Sequence, residues 1–207
     1  DGGTGADSVG VTSFAAGYLG SLNIAAETVV VSAQIGSATH QVKDVTINAD
    51  SAATLSLGSL ASNASAVASS LITVNASIFS PGNVTLSAVA MVNGAANYGL
   101  LRVLGGAITT QQAARVTIAD NVTVSAGSLA ISTLAKVDIT VSANNQLAFF
   151  GDVSVGSVSQ ITIGRGVLLA TTGAAGVSIL ASDVVNLDVS VGAAEADILG
   201  ETVFNIN

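Results

Sequence analysis

Aliphatic and polar residues alternate in short runs along most of the chain, as in Asp44-Val-Thr-Ile-Asn-Ala-Asp50 and Val153-Ser-Val-Gly-Ser-Val158. Alternation with period two puts the apolar side chains on one face of a β-strand. One triplet recurs within this pattern: an aliphatic residue, Thr or Asn, then another aliphatic. It occurs as Leu22-Asn23-Ile24, Val45-Thr46-Ile47, Ile72-Thr73-Val74, Val116-Thr117-Ile118, Ile139-Thr140-Val141, Ile161-Thr162-Ile163 and Val185-Asn186-Leu187. Most copies follow the one before at a nearly constant step, and Phe204-Asn205-Ile206 follows the last after a shorter one. The step from Ile72 to Val116 is about twice the others and reads as two periods with one copy degenerate. The pattern is weakest from Pro81 to Ala114, where Val84-Thr85-Leu86 falls out of phase and Tyr98 to Gly106 reads as a loop.

Each period subdivides into strands of about three to six residues bounded by Gly, Asn, Asp or Ser corners. Three strands and three corners per period predict an all-β chain wound as a three-sided parallel β-helix, a solenoid of about 22–24 residues per coil. A closed β-sandwich is the structural alternative. The solenoid is expected over residues 21–207, with residues 1–20, which contain six glycines, as an N-terminal arm or cap.

Composition fits stacked coils. Half of the 207 residues are hydrophobic, but only 9% are charged and 3% aromatic. Inward positions of stacked strands form narrow aliphatic columns that discourage aromatics. Outward positions repeat at about 4.8 Å, where like charges repel and Ser, Thr or Asn do not. The abundance of Val, Ile and Leu excludes disorder. Five basic residues against thirteen acidic ones, a net charge of −8, cannot neutralise a run of phosphates, so nucleic acid is not an expected partner. Ser, Asn, Thr and Gly interrupt every apolar window long enough for a membrane helix, and seven aromatics cannot form the girdles of a membrane barrel. No membrane insertion is expected. The chain opens at Asp1 without a basic-then-apolar leader, so any secretory signal is expected to have been removed or never present.

Stretches such as Asp44 to Asp50 and Asn83-Val-Thr-Leu-Ser-Ala88 resemble coils of bacterial extracellular parallel β-helix proteins, the filamentous-haemagglutinin-like adhesins and fibres. The resemblance spans roughly residues 21–207 and is one of composition and period. It implies a stiff, secreted, cell-surface shaft used for adhesion or as fibre material, with surface or matrix glycans as further partners. It brings no catalytic residue.

Candidate chemistry is sparse. His40 is the sole histidine, there is no cysteine, and no Gly-x-Ser-x-Gly elbow is present. Asp183 and Asp188 fall within one period and are the pair a polysaccharide-acting β-helix enzyme would need, although solvated corners account for them as well. Asp50, Asp120 and Asp188 sit at comparable corners, where stacked oxygens suit calcium, but Ser77, Asn144 and Gly166 interrupt the series. No enzyme activity, metal or cofactor is therefore expected. The triplet centres Asn23, Thr46, Thr73, Thr117, Thr140, Thr162 and Asn186 are expected to form one outer column. An ice-binding solenoid would add a second Thr column, which the sequence lacks. Asn63, Asn75, Asn83 and Asn121 begin Asn-x-Ser/Thr acceptors.

Neither end carries an evident polar cap, and a bare terminal coil exposes unpaired backbone and the apolar lumen. Leu22 and Ile24 near one end, and Val203, Phe204 and Ile206 near the other, are the expected assembly interface. The sequence thus points to a secreted structural protein whose copies stack head-to-tail into an extracellular filament, itself being the partner. An adhesin shaft, a polysaccharide-acting enzyme and an ice-binding solenoid are the alternatives.

Overall fold

The computed structural model describes residues 6–14, 20–56, 63–98, 103–105, 107–143, 148–150, 152–190 and 195–206. They form sixteen β-strands and no helix, and every ladder is parallel. These strands therefore do not form an antiparallel Greek-key sandwich.

Two wide sheets dominate. The six-stranded sheet takes β1 (Ser8–Val11), β3 (Thr28–Val31), β5 (Ala64–Val74), β9 (Ile108–Ile118), β13 (Asp152–Ile163) and β16 (Glu195–Ile206), in that order. The five-stranded sheet takes β2 (Leu22–Ala26), β4 (Val45–Leu55), β7 (Asn83–Tyr98), β11 (Ser128–Ala143) and β15 (Val177–Ser190). A narrow third sheet joins β6 (Ile78–Phe79), β10 (Thr123–Ala126) and β14 (Leu168–Thr171), and a fourth joins β8 (Val103–Gly105) to β12 (Ala148–Phe150). From β7 onward the chain visits the five-stranded, fourth, six-stranded and third sheets in turn, then repeats the order. The loop expected from Tyr98 to Gly106 thus contains β8, while residues 99–102 and 106 lie outside the described residues.

Register sets the repeat length, and it differs from the spacing of the triplets. Val45 pairs with Val84, Val84 with Leu129, and Leu129 with Val177, separations of 39, 45 and 48. On the other wide sheet, Ile72 pairs with Val116 and Val116 with Ile161, separations of 44 and 45. The expected short repeat holds only at the start, where Leu22 pairs with Val45. Elsewhere the triplet alternates between two sheets that are chemically alike, so the sequence shows half the true repeat. The double step from Ile72 to Val116 is then one whole repeat with no copy missing. Val84-Thr85-Leu86 is in phase with its own sheet, against Val45-Thr46-Ile47. The described strands fall into four sheets, where three strands per period were expected, and strands of up to 16 residues replace the short ones expected.

The core lies between the two wide sheets and is built from columns. Ile72, Val116 and Ile161 stack at 0% exposure, as do Ile47, Leu86 and Ile131 at 0–1%. In β9 the burial alternates without a break from Ile108 to Ile118. Where Leu55 leans over the next strand, Gly94 supplies the space: a Cβ there would stand 3.0 Å from Leu55 Cβ. The corners are tied from one repeat to the next by short polar side chains. Asp120 Oδ1 accepts the Arg165 N–H at 2.8 Å, Asn63 Oδ1 the Ala107 N–H at 2.9 Å, and Ser77 Oγ the Thr123 N–H at 3.0 Å. Asn121 and Gly166, joined through the Asn121 N–H and Arg165 carbonyl, both adopt positive φ, 59° and 66°. Asn and Gly tolerate that conformation best.

Candidate functional site

Thr73, Thr117 and Thr162 do stack in register on the six-stranded sheet, between Val30 and Asn205. The remaining members of the expected column lie elsewhere. Asn23 and Thr46 pair on the five-stranded sheet and continue into Thr85. Thr140 pairs with Ala95 and Asp188, and Asn186 with Asp138, further along that sheet. One line of seven is thus four separate rows, with Thr140 and Asn186 each alone in its own. Beside the Thr73 column the next outward row is Leu71, Arg115 and Gln160, which offers no second Thr line for an ice lattice.

That outward row borders a shallow groove of about 410 Å³ on the middle of the six-stranded sheet. Its floor is Ser69, Ala113 and Gly156, and Val67, Gln111 and Arg115 rise around it. Val67 is 64% exposed there. A guanidinium, an amide and a hydroxyl on an apolar floor can bind, but they contain no paired nucleophile and base.

The acids do not gather. Asp183 and Asp188 share β15 but differ by an odd number of residues, so they point to opposite faces of the strand. Asp188 is exposed, whereas Asp183 faces inward and accepts a hydrogen bond from the Ser157 hydroxyl. A solvated corner is therefore the wrong account of Asp183, and the two carboxylates do not form a glycosidase pair. Asp50 and Asp120 are exposed and separate, and the described residues hold no group of three His, Cys, Asp or Glu fit for a metal ion. Asn144, which interrupts the corner series in the sequence, lies outside the described residues. Asp44, which the sequence did not single out, is the best-connected acid. Its Oδ1 accepts the Asn83 N–H at 3.0 Å and its Oδ2 the Ser21 hydroxyl at 3.1 Å. The Asn83 N–H above all, then the Ser21 hydroxyl and nearby Lys43, hold its carboxyl below the ordinary aspartate range against a small opposing effect of burial. His40 occupies an exposed turn, with Thr39 Oγ1 3.1 Å from its Nδ1 and its own N–H donated to Ser37 Oγ.

The two ends of the stack form the remaining candidate. At one, β15 and β16 pair on a single side only; at the other, β2 and β1 do. Inward residues of β15 occupy the same columns as those of β11, yet they are only half-buried. Leu129 and Ile131 are 1% exposed, while Val177, in register with Leu129, is 41% exposed. Ile179, Val185 and Leu187 continue this partly uncovered face. Leu168 and Leu180, on the outward positions of β14 and β15, are 56% and 60% exposed. Of the expected interface residues, Leu22 and Ile24 lie on β2, the edge of the five-stranded sheet, with Ile24 9% exposed. Val203, Phe204 and Ile206 lie on β16, the edge of the other wide sheet.

No known family matches this sequence, and no curated protein or solved structure is significantly similar to it. No helix among the described residues is long and apolar enough to cross a membrane.

Proposed function

We propose that the chain is a parallel β-solenoid in which one coil is a full circuit of the four sheets, and that its copies stack end-to-end into an extracellular structural filament. The observation that carries the reading is the half-exposed inward column of β15, set against its fully buried counterpart in β11. An aliphatic column open on one side gains about 25 cal/mol for each Å² of apolar surface that another coil covers. The edges match in direction. Parallel sheets continue without reversal if β15 of one copy meets β2 of the next and β16 meets β1. Leu22 and Ile24 then meet β15, rather than the Val203, Phe204 and Ile206 strand with which the sequence grouped them. Neither β1 (Ser-Val-Gly-Val) nor β2 (Leu-Asn-Ile-Ala-Ala) carries the charge or proline that ordinarily protects a free edge. A heterologous contact of this kind does not close on itself and produces fibres.

Sedimentation and negative-stain imaging across a concentration series test the proposal. Filaments are expected from the unaltered chain. Ile179→Asp, on the open face, is expected to leave single particles, whereas Ala130→Asp, on an exposed outer position of β11, is expected to leave assembly intact. Monomers at every concentration, or filaments unaffected by Ile179→Asp, would refute the stacking geometry.

A further inference from the structure

The middle of the interior departs from the aliphatic pattern. Thr110 and Gln112 of β9 and Ser157 and Ser159 of β13 face inward and are at most 2% exposed. Hydrogen bonds cross from these serines to the opposite sheet: the Ser157 hydroxyl donates to Asp183 Oδ1, and the Ser159 hydroxyl donates to Thr133 Oγ1 at 2.7 Å. Ser159 Oγ also accepts the Ser182 N–H at 3.1 Å. These contacts fix how the two faces align. Gln112 is in register with Ser157, which places it against the row of Ala90, Ala135 and Asp183. Ala90 and Ala135 are both fully buried, so the row opposite a long amide is short.

Both amide atoms of Gln112, Thr110 Oγ1 and Asp183 Oδ2 are buried with no hydrogen-bond partner among the described residues. Each buried polar group left unpaired costs about 1–3 kcal/mol, and internal water is the usual remedy, making about three bonds to such groups. We infer from these four unpartnered atoms a pocket between the wide sheets that binds at least one ordered internal water bridging Gln112 and Asp183. The water donates to Asp183 Oδ2 and to Gln112 Oε1 or Thr110 Oγ1, and accepts from Gln112 Nε2–H. The donor set argues against a cation. Calcium takes six to eight oxygens, whereas this pocket offers three unpaired ones beside an amide nitrogen whose hydrogens repel positive charge. The water gives the interior a polar pin. Purely aliphatic columns tolerate a slip of two residues, and a hydrated Gln112–Ser157–Asp183 patch does not.

Magnetic relaxation dispersion of ¹⁷O-labelled water detects long-lived internal waters directly. The unaltered protein is expected to show a dispersion step, and Gln112→Met, which keeps length and removes both polar atoms, is expected to lower it by at least one water. Thr110→Val serves as a second reading, expected to shorten the residence time while the fold is kept. Circular dichroism confirms that each variant is folded. No step in the unaltered protein, or an unchanged step in both folded variants, would overturn the inference. So would a rise in unfolding temperature with added calcium or sodium that Gln112→Met abolishes, because the occupant would then be a cation.

Discussion

Excision of residues 84–128 removes one complete circuit of the four sheets and joins Asn83 to Leu129. Asn83 and Ser128 are register partners, and so are Val84 and Leu129, so β4 acquires β11 as its neighbour without a change of phase. Inward residues meet inward residues throughout the new ladder: Val45 with Leu129, Ile47 with Ile131, and Ala49 with Thr133. On the six-stranded sheet β5 meets β13, with Ile72 against Ile161 and Val74 against Ile163, and on the third sheet Ile78 meets Leu169. The excision also removes β8, the partner of β12 in the fourth sheet, and one core contact worsens. Leu55 leans over Gly94 in the intact chain and would face Ile139 in the shortened one, an overpacking that costs about 1–3 kcal/mol.

In the proposed solenoid each coil contacts only its neighbours, so the shortened protein should remain folded and lose stability roughly in proportion to its length. The dependence of unfolding free energy on urea scales with the surface exposed, and removing residues 84–128 from a chain of 207 residues should lower that slope by about one fifth. Far-ultraviolet circular dichroism during urea titration measures both. The control is excision of residues 116–138, a single triplet period, which splices β9 of one wide sheet into β11 of the other. That variant should lose cooperative unfolding. The reasoning fails if excision of the full circuit abolishes the cooperative transition, or if excision of the single triplet period preserves it.

Leu86→Ala empties a fully buried column position between Ile47 and Ile131 and should cost about 2–5 kcal/mol in urea unfolding, since flanking strands held by two ladders relax little. Gly36→Ala forces a residue with φ of 70° to carry a Cβ 2.6 Å from the Phe79 carbonyl oxygen, and should lower stability by more than about 1 kcal/mol in the same assay. Because the carboxyl of Asp44 is depressed in the folded state, its contribution is fully present above the unfolded value and is lost as pH falls through the folded one. Urea midpoints measured from neutral pH down through the carboxylate range should therefore fall less steeply for Asp44→Asn than for the unaltered chain.

Alternation was enough to place the aliphatics that flank each triplet centre on the inward face, because a strand with one buried side must place aliphatics at every second position. Val116 and Ile118, on either side of Thr117, are both fully buried. The repeat was misread for the same reason. Val-Thr-Ile on one wide sheet and Ile-Thr-Val on the other satisfy identical local rules, and nothing local says which sheet a strand joins. Register with a partner a full circuit away is a long-range property, and only the step from Ile72 to Val116 displayed it undivided.

The stretch from Pro81 to Ala114 shows where the physical signal lay hidden. It contains a regular strand of 16 residues, β7, and the start of β9, whose inward positions run Ile108, Thr110, Gln112, Ala114. Two polar residues at consecutive inward positions erase the apolar period just where the interior becomes polar. What looks in the sequence like a weak repeat is a pair of buried polar side chains. The same logic separates Asp183 from the other acids: in the run Val177 to Leu187 it takes an inward position otherwise held by aliphatic or small residues, in register with Ala135. In a chain of such uniform texture, a polar residue at an inward phase is the most informative letter, since burying it without a partner would cost more than any surface substitution returns. Gln112 and Asp183 answer that rule together, from opposite sheets.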